Sequence, residues 1–389
     1  MKALVLTIAA AVVVVANLAN AYASVSAASA ANANLMEKNG PMTSSTQLGE
    51  VFYLHSGVSS MEEEILPTVA KNYRFNIRQA ELLHYTPRTL VLRIQTDDGP
   101  FVVKSIFADR DRMSFILAVE HYLRGKGVAI PQTIPMENGE FIFFCNGTPY
   151  TVQEYVEGKP LHITSKSACT ERGRLLGHFH ACSLGFNAGD VKPCQGIAEW
   201  EQIYQEELQT MIGWREQYRS SKEKEHQLVM RSIDFFIRAG KQLLRILTQN
   251  QYFSEVRAEP LERQFLCHGD FHTGNVLWNE KMQRFTIIDW EFTRFDYPSV
   301  DLGRLLSIIM RHNNRWNEAS FSALLSGYLE QNPLSEKQME LLYLDLAFPH
   351  QFERFLRKNW FEEFTVGEIR QFLQREEEKT RFLLRALER

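Results

Sequence analysis

No sign of charge dominates this chain of 389 residues: 43 Lys and Arg face 47 Asp and Glu, a formal charge of −4. That balance offers no field to hold a nucleic-acid backbone, so a DNA- or RNA-binding role is disfavoured. Cysteine is equally sparse. The 5 cysteines, Cys145, Cys169, Cys182, Cys194 and Cys267, are odd in number and scattered. They lack the paired short spacing of a structural zinc site and read as reduced, mostly buried thiols. A P-loop is also missing: Gly125-Lys126-Gly127 and Gly158-Lys159 have neither the upstream glycine nor the Ser/Thr that such a cradle needs. No internal repeat appears.

What the chain does have is a 44% hydrophobic content, enough for the core of one large two-lobed domain or of two ordinary ones. Lys2 precedes the apolar run Ala3 to Ala16, and A-x-A steps follow at Ala19, Ala21 and Ala23. The run is too short for a membrane span of roughly 20 residues and has the form of a cleavable secretory leader. A working start at Met42, or an added segment, would equally account for it. Residues 36 to 60 have the breaker-rich composition of a linker, so the expected division is leader and linker over 1–49 with folded structure from about residue 50.

From there the pattern predicts a short helix over Glu62 to Tyr73 and β-rich runs at Ile77 to His84, Thr89 to Gln95 and Phe101 to Ile106. Asp97-Asp98-Gly99-Pro100 reads as a hairpin between the last two. Met113, Ile116, Val119, Glu120 and Leu123 fall at helical spacing, with Asp109 and Asp111 at the start and Gly125 and Gly127 at the end. Two more β-rich runs, around Gln132 to Pro135 and Phe141 to Phe144, come before Tyr150 to Val156. After the breaker Glu157-Gly158-Lys159-Pro160 the composition turns helical: Cys169 to Ser183, Ala198 to Tyr218, Lys222 to Leu247, Asp301 to Met310 and Ser335 to Glu388. The expected fold class is α+β: a small antiparallel β lobe with one main helix over 50–157, and a larger, mostly helical lobe over 158–389. A cleft between lobes would be the default ligand site.

Phosphoryl transfer requires a group that orients the attacking hydroxyl, hard oxygen ligands for metal ions and a cation that positions phosphates. His268-Gly269-Asp270-Phe271-His272-Thr273-Gly274-Asn275 places an acid and an amide five residues apart in a loop. A hairpin through Asn279-Glu280-Lys281 would return Asp289-Trp290-Glu291 beside Asn275, pairing a carboxylate with an amide oxygen. His178 and His180 look like metal ligands, but residues two apart on a helix point in different directions; a partly buried pair is the plainer reading. Trp200, Tyr204, Trp214 and Tyr218 with Glu201, Glu206 and Glu207 could face a cationic ligand, though packing against a solvated face explains them better.

The order H-G-D-x-x-x-x-N, then I-I-D-W-E, then D-Y-P-S-V-D-L resembles the aminoglycoside and choline phosphotransferase family of kinases, over roughly residues 73 to 310. The resemblance implies a protein-kinase-like fold, ATP and Mg²⁺ as cofactors, and a small-molecule hydroxyl as acceptor, such as an aminoglycoside, choline, methylthioribose or homoserine. By position Asp270 matches the catalytic base, Asn275 and Asp289 the Mg²⁺ ligands, and His268, Glu291 and Asp301 supporting residues. Lys104 matches the strand lysine that contacts phosphates and Glu120 its helical partner. Glu154 and Val156 match the connector whose backbone meets the adenine edge. ATP chemistry implies a cytoplasmic location, with export as the alternative that residues 1 to 23 suggest. Two departures stand out. Leu83-His84-Tyr85-Thr86-Pro87-Arg88-Thr89, where kinases place a glycine-rich flap, has no glycine, leaving Thr86 and Arg88 as substitutes and a catalytically weak or inactive binding protein of the spore-coat branch as the alternative function. Thr273 stands where many members have proline, with the Asp270 to Asn275 spacing intact.

Overall fold

The computed structural model describes residues 64–86 and 89–388; the leader, the linker, and Pro87 and Arg88 of the flap lie outside them. One compact unit runs to Phe107 and resumes over Thr133–Tyr155; a second comprises Ala108–Gln132 and Val156–Arg389. The helix between the third and fourth strands therefore groups with the second unit, although strands flank it in sequence.

The first unit holds a helix over residues 64–73 (α1) and the strands β1 (Ile77–Tyr85), β2 (Leu90–Thr96), β3 (Gly99–Ser105), β4 (Thr133–Ile134), β5 (Phe143–Cys145) and β6 (Thr148–Glu154). The sheet order is β1-β2-β3-β6-β4, with β5 on β6, and every pair is antiparallel. Alternation in β2 buries Leu90, Leu92, Ile94 and Thr96 on one face, as a period of two requires. Ile65, Val69 and Tyr73 of α1 close over that face with Val103, Val152, Phe143 and Tyr150; each aliphatic side chain so buried contributes about 1.5–3 kcal/mol. The expected hairpin forms with Thr96 opposite Gly99, and Arg78 clamps its tip through Asp97 at 2.8 Å.

The second unit begins with α2 (Arg110–Gly125), whose N-cap Asp109 accepts from the Arg112 amide. β7 (Lys159–Pro160), α3 (Lys166–Ser183), α4 (Trp200–Tyr218), α5 (Lys224–Gln249) and α6 (Gln251–Ala258) follow. Next come β8 (Phe265–Cys267), β9 (Val276–Asn279), β10 (Arg284–Ile287), β11 (Arg294–Asp296) and α7 (Ser299–Asn313). The chain ends in α8 (Glu318–Gln331), α9 (Glu336–Ala347), α10 (His350–Arg357), α11 (Trp360–Glu363) and α12 (Val366–Leu387). The breaker at Lys159-Pro160 is in fact a two-residue edge strand on β9, a position that tolerates proline.

The helical stretch expected over Ser335 to Glu388 comprises four helices. Phe348 turns extended before Pro349, as a residue preceding proline must. Asn359 takes a left-handed φ of 52°, and Thr365 starts α12 afresh through a capping box with Glu368. α8 went unrecognised in the sequence, yet it is pressed closely on α3. A Cβ at Gly173 would strike Leu324 O, one at Gly177 Tyr328 O, and one at Gly327 Thr170 O. Three glycines thus let two helix backbones touch where side chains normally hold them 8–10 Å apart. That approach sets Tyr328 of α8 against His180 of α3.

Trp200, Tyr204 and Trp214 are buried, so packing is their role: Tyr204 donates to Asp345 at 2.5 Å. Of the cysteines only Cys169 and Cys267 are fully buried, and the other three are half-buried. His178 is exposed while His180 is wholly buried, so they are not a pair. Among the described residues no helix is long and apolar enough to cross a membrane.

Candidate active site

The loop His268 to Asn275 joins β8 to β9, and the Asp289-Trp290-Glu291 segment joins β10 to β11. Two antiparallel pairings tie them together: Val276 opposes Ile287 and Cys267 opposes Arg294. Ladder hydrogen bonding continues past the hairpin, the Ile288 amide donating to Asn275 O at 2.9 Å. Asp289 is therefore the residue next to the one paired with Asn275, as the hairpin spacing anticipates.

Asp301, wholly buried on α7, anchors the loop. Its Oδ2 accepts the His268 amide at 2.7 Å and its Oδ1 the Gly269 amide at 2.9 Å. His180 Nε2 lies 3.2 Å from Oδ2. Burial by itself would raise this carboxyl. The hydrogen bonds from His180 and from the His268 amide outweigh it and hold Asp301 below its ordinary value. The partners fix the tautomer of His180. Asn332 Nδ2 donates to the Tyr328 hydroxyl at 2.7 Å, and that hydroxyl meets His180 Nδ1 at 2.9 Å. A neutral ring accepting from Tyr328 and donating to Asp301 satisfies every group in the chain.

His268 is oriented in the same way. Its Nδ1 accepts the Asp270 amide at 3.2 Å, so its Nε2 carries the proton given to Ile288 O at 2.9 Å. The ring thus bridges the loop to the end of β10, packed against Trp290 with centroids 4.9 Å apart. Gly269 has φ +81°, and a Cβ there would meet Phe292 O; only glycine fits. On the other flank Arg112 of α2 donates to Glu291 O through Nη2 at 2.6 Å and Nε at 3.2 Å.

Asp270 is nearly buried, and its Oδ1 receives Arg304 Nε of α7 at 3.1 Å, the two side chains being 11% and 15% exposed. His272 Nε2 stands 3.5 Å from Oδ2; its Nδ1 accepts the Gly274 amide at 3.0 Å, which leaves the proton on the nitrogen facing Asp270. Asn275 donates its amide N–H to Asp270 O at 3.1 Å, so its side-chain oxygen is the end left for a cation. Asp289, with φ 67° and ψ 63°, is left-handed, a conformation costly for a non-glycine residue and concentrated at functional sites. Amide and carboxylate oxygens are the hard donors that Mg²⁺ prefers, so the residues fit that ion.

A second cluster is explained by hydrogen bonding. Ligand atoms of His180, Cys267 and Asp301 lie within 4.8 Å of one another. The Cys267 thiol is pushed well up, first by burial and then by the Asp301 and Asp296 charges, and it donates to Tyr297 O at 3.2 Å.

In the first unit Lys104 lies on β3 opposite Val91 and Thr151. Glu120 is buried on α2 of the second unit. Glu154 ends β6 opposite Phe101, the Tyr155 amide donates to Pro100 O at 3.3 Å, and Val156 starts the second segment of the second unit. At the flap, the Thr86 hydroxyl accepts the Thr89 amide at 2.9 Å. The sequence reading missed Arg304, Arg112, Tyr328 and the role of His180. Arg304 had a signal, since it lies one turn beyond Asp301 and so shares a helix face with it.

A solved aminoglycoside phosphotransferase from Alicyclobacillus acidocaldarius superposes with a TM-score of 0.66 at 17% identity, covering 83% of this chain and 95% of that one. The fold is thus the protein-kinase-like one of those enzymes. The profile of the phosphotransferase enzyme family matches residues 88–334, and the chain belongs to that family. It is 28% identical to spore coat protein S of Bacillus subtilis over 83% of this chain and 93% of that protein. To a homoserine kinase of Sinorhizobium medicae it is 25% identical over 60% of this chain and 64% of that protein.

Proposed function

We propose that the protein is an ATP-dependent phosphotransferase that moves the γ-phosphoryl group to a hydroxyl of a small molecule. The observation that carries this reading is Asp270, held by its backbone and by Arg304, in the loop whose Asn275 adjoins Asp289 across the hairpin. In this reading Asp270 accepts a hydrogen bond from the acceptor hydroxyl and takes its proton as the bond to phosphorus forms. Arg304 Nε, 3.1 Å from Oδ1, fixes the orientation of that carboxylate. Asn275 and Asp289 are the residues that would hold Mg²⁺, which when bound neutralises charge on the phosphate oxygens. Lys104, Glu120 and the backbone of Glu154 and Val156 are assigned to the nucleotide, and His268, Glu291 and Asp301 to support of the loop. Family membership and the likeness to a homoserine kinase support small-molecule transfer.

The test is Mg²⁺-dependent ATP binding, followed by ADP release across a panel of hydroxyl compounds, with Asp289→Ala as control. Binding that needs Mg²⁺ and weakens at least tenfold in the variant is expected; binding indifferent to both would remove the metal assignment. A second reading rests on the glycine-free flap and the long match to spore coat protein S: a coat component that binds nucleotide without turnover. Nucleotide binding with no transfer to any acceptor in a single turnover would favour it.

A further inference from the structure

One helix of the second unit has a charge pattern that the transfer chemistry alone does not require. α10 is two-faced. Phe352 and Phe355 enter the helical core, stacked on Phe236 and Phe372 with centroids 4.0 and 4.4 Å apart. His350, Glu353, Arg354 and Arg357, at the spacing of one helix face, carry the charge. Most of these charges are matched. Glu353 holds Arg357 at 2.8 Å, and His350 lies 2.8 Å from Glu207 and 3.1 Å from Asp345. On α7, Arg304 answers Asp270 at 3.1 Å. Arg354 is the exception: among the described residues no carboxylate forms an ion pair with it.

Arg354 is half-buried, with its guanidinium carbon 5.9 Å from the centre of the Trp360 ring. Burial pulls it down to about 10, the charges of Arg304 and Arg357 push the same way, and Asp270 and Glu353 pull back. Arg354 therefore lies within electrostatic reach of the Asp270–Arg304 pair. Lys358 is lowered as well, by burial and then by Arg357 and Arg354, so positive charge is in local excess here. A partly desolvated guanidinium without a counter-charge is unfavourable and is relieved by an anion that its planar N–H fork can grip.

We propose that Arg354 is the acceptor-side anion site: the substrate whose hydroxyl meets Asp270 carries a carboxylate or phosphate group that Arg354 binds. The proposal rests on the phosphotransferase reading and narrows its acceptor to an anionic class. A cationic acceptor of the aminoglycoside or choline kind would meet like charge at this position, which disfavours it.

The test uses the full chain and one carbon framework in four charge states: glycerol, glycerate, glycerol phosphate and aminopropanediol. Each is titrated calorimetrically into wild type, Arg354→Gln and Arg354→Lys, with and without saturating Mg²⁺ and a non-hydrolysable ATP analogue. At least one anionic compound is expected to bind about tenfold or more tightly than glycerol, with aminopropanediol weakest, since a charge-assisted hydrogen bond supplies that much. Arg354→Gln is expected to erase the preference and Arg354→Lys to keep part of it, with thermal midpoint and nucleotide affinity retained. Tighter glycerate assigns a carboxylate; tighter glycerol phosphate assigns a phosphate. A flat or reversed charge order, or an anion preference intact in Arg354→Gln, overturns the proposal. If the ATP analogue fails to bind, the phosphotransferase reading falls, while the nucleotide-free titrations still decide the anion site.

Discussion

The catalytic loop and the charged face of α10 are built on opposite plans. In the loop, the amides of His268, Gly269 and Asp270 go to protein partners, and those partners have partners of their own, back through His180 and Tyr328 to Asn332. On α10 the ion pairs close in the same way except at Arg354. The contrast separates two jobs. The loop is tied down from inside the fold, as the proposed transfer chemistry needs, whereas Arg354 is left without a carboxylate partner among the described residues, which is where the proposal puts preference for an acceptor.

Breaking the loop's anchor should have the largest effect. Asp301→Ala strands two buried amides and His180 and is expected to cost about 3–5 kcal/mol, since each buried group left unsatisfied costs about 1–3 kcal/mol. A denaturant titration reads this directly, and a loss under about 1 kcal/mol would show that the loop is held elsewhere. Next comes the helix crossing that sets Tyr328 on His180. Gly177→Leu drives a side chain into the Tyr328 carbonyl and should cost about 3 kcal/mol, whereas Gly213→Ala, where a Cβ meets nothing within 4 Å, should be neutral or slightly stabilising.

Charge on α10 gives a smaller, pH-dependent effect. Burial would lower His350, but Glu207 and Asp345 overcome it and hold its pKa up to about 10, against an ordinary 6.5. A raised folded pKa means stabilisation that is complete below about 6.5 and is lost as pH rises through about 10. Wild type should therefore lose thermal midpoint over that window, and His350→Gln should flatten the decline; parallel curves would contradict the ion pairing. Arg78→Ala, at the exposed hairpin clamp, should leave midpoint and nucleotide binding unchanged, because exposed pairs contribute little.

The same contrast explains what could be read from sequence. Local signals sufficed where the chemistry is local: the Asp109 cap, the Asp97-Asp98 hairpin, and the return of Asp289 beside Asn275 through a short turn. They failed where the partner is remote. Nothing near His180 names Asp301, 121 residues away, and nothing near Arg112 names the Glu291 carbonyl. α8 escaped because its glycine contact is a property of two helices together. Helical periodicity over Ser335 to Glu388 was legible but its division was not: the breaks at Pro349 and Asn359 lie in those residues' backbone conformations.

The most direct test of Asp270 as the group that orients the acceptor is a rapid-quench single turnover on an acceptor that the wild-type protein phosphorylates, comparing it with Asp270→Asn. Phosphorylated acceptor should form in wild type and fall by about 10²–10⁴-fold in the variant, with Mg²⁺·ATP affinity and thermal midpoint unchanged. Equal product formation in the two proteins would contradict the account.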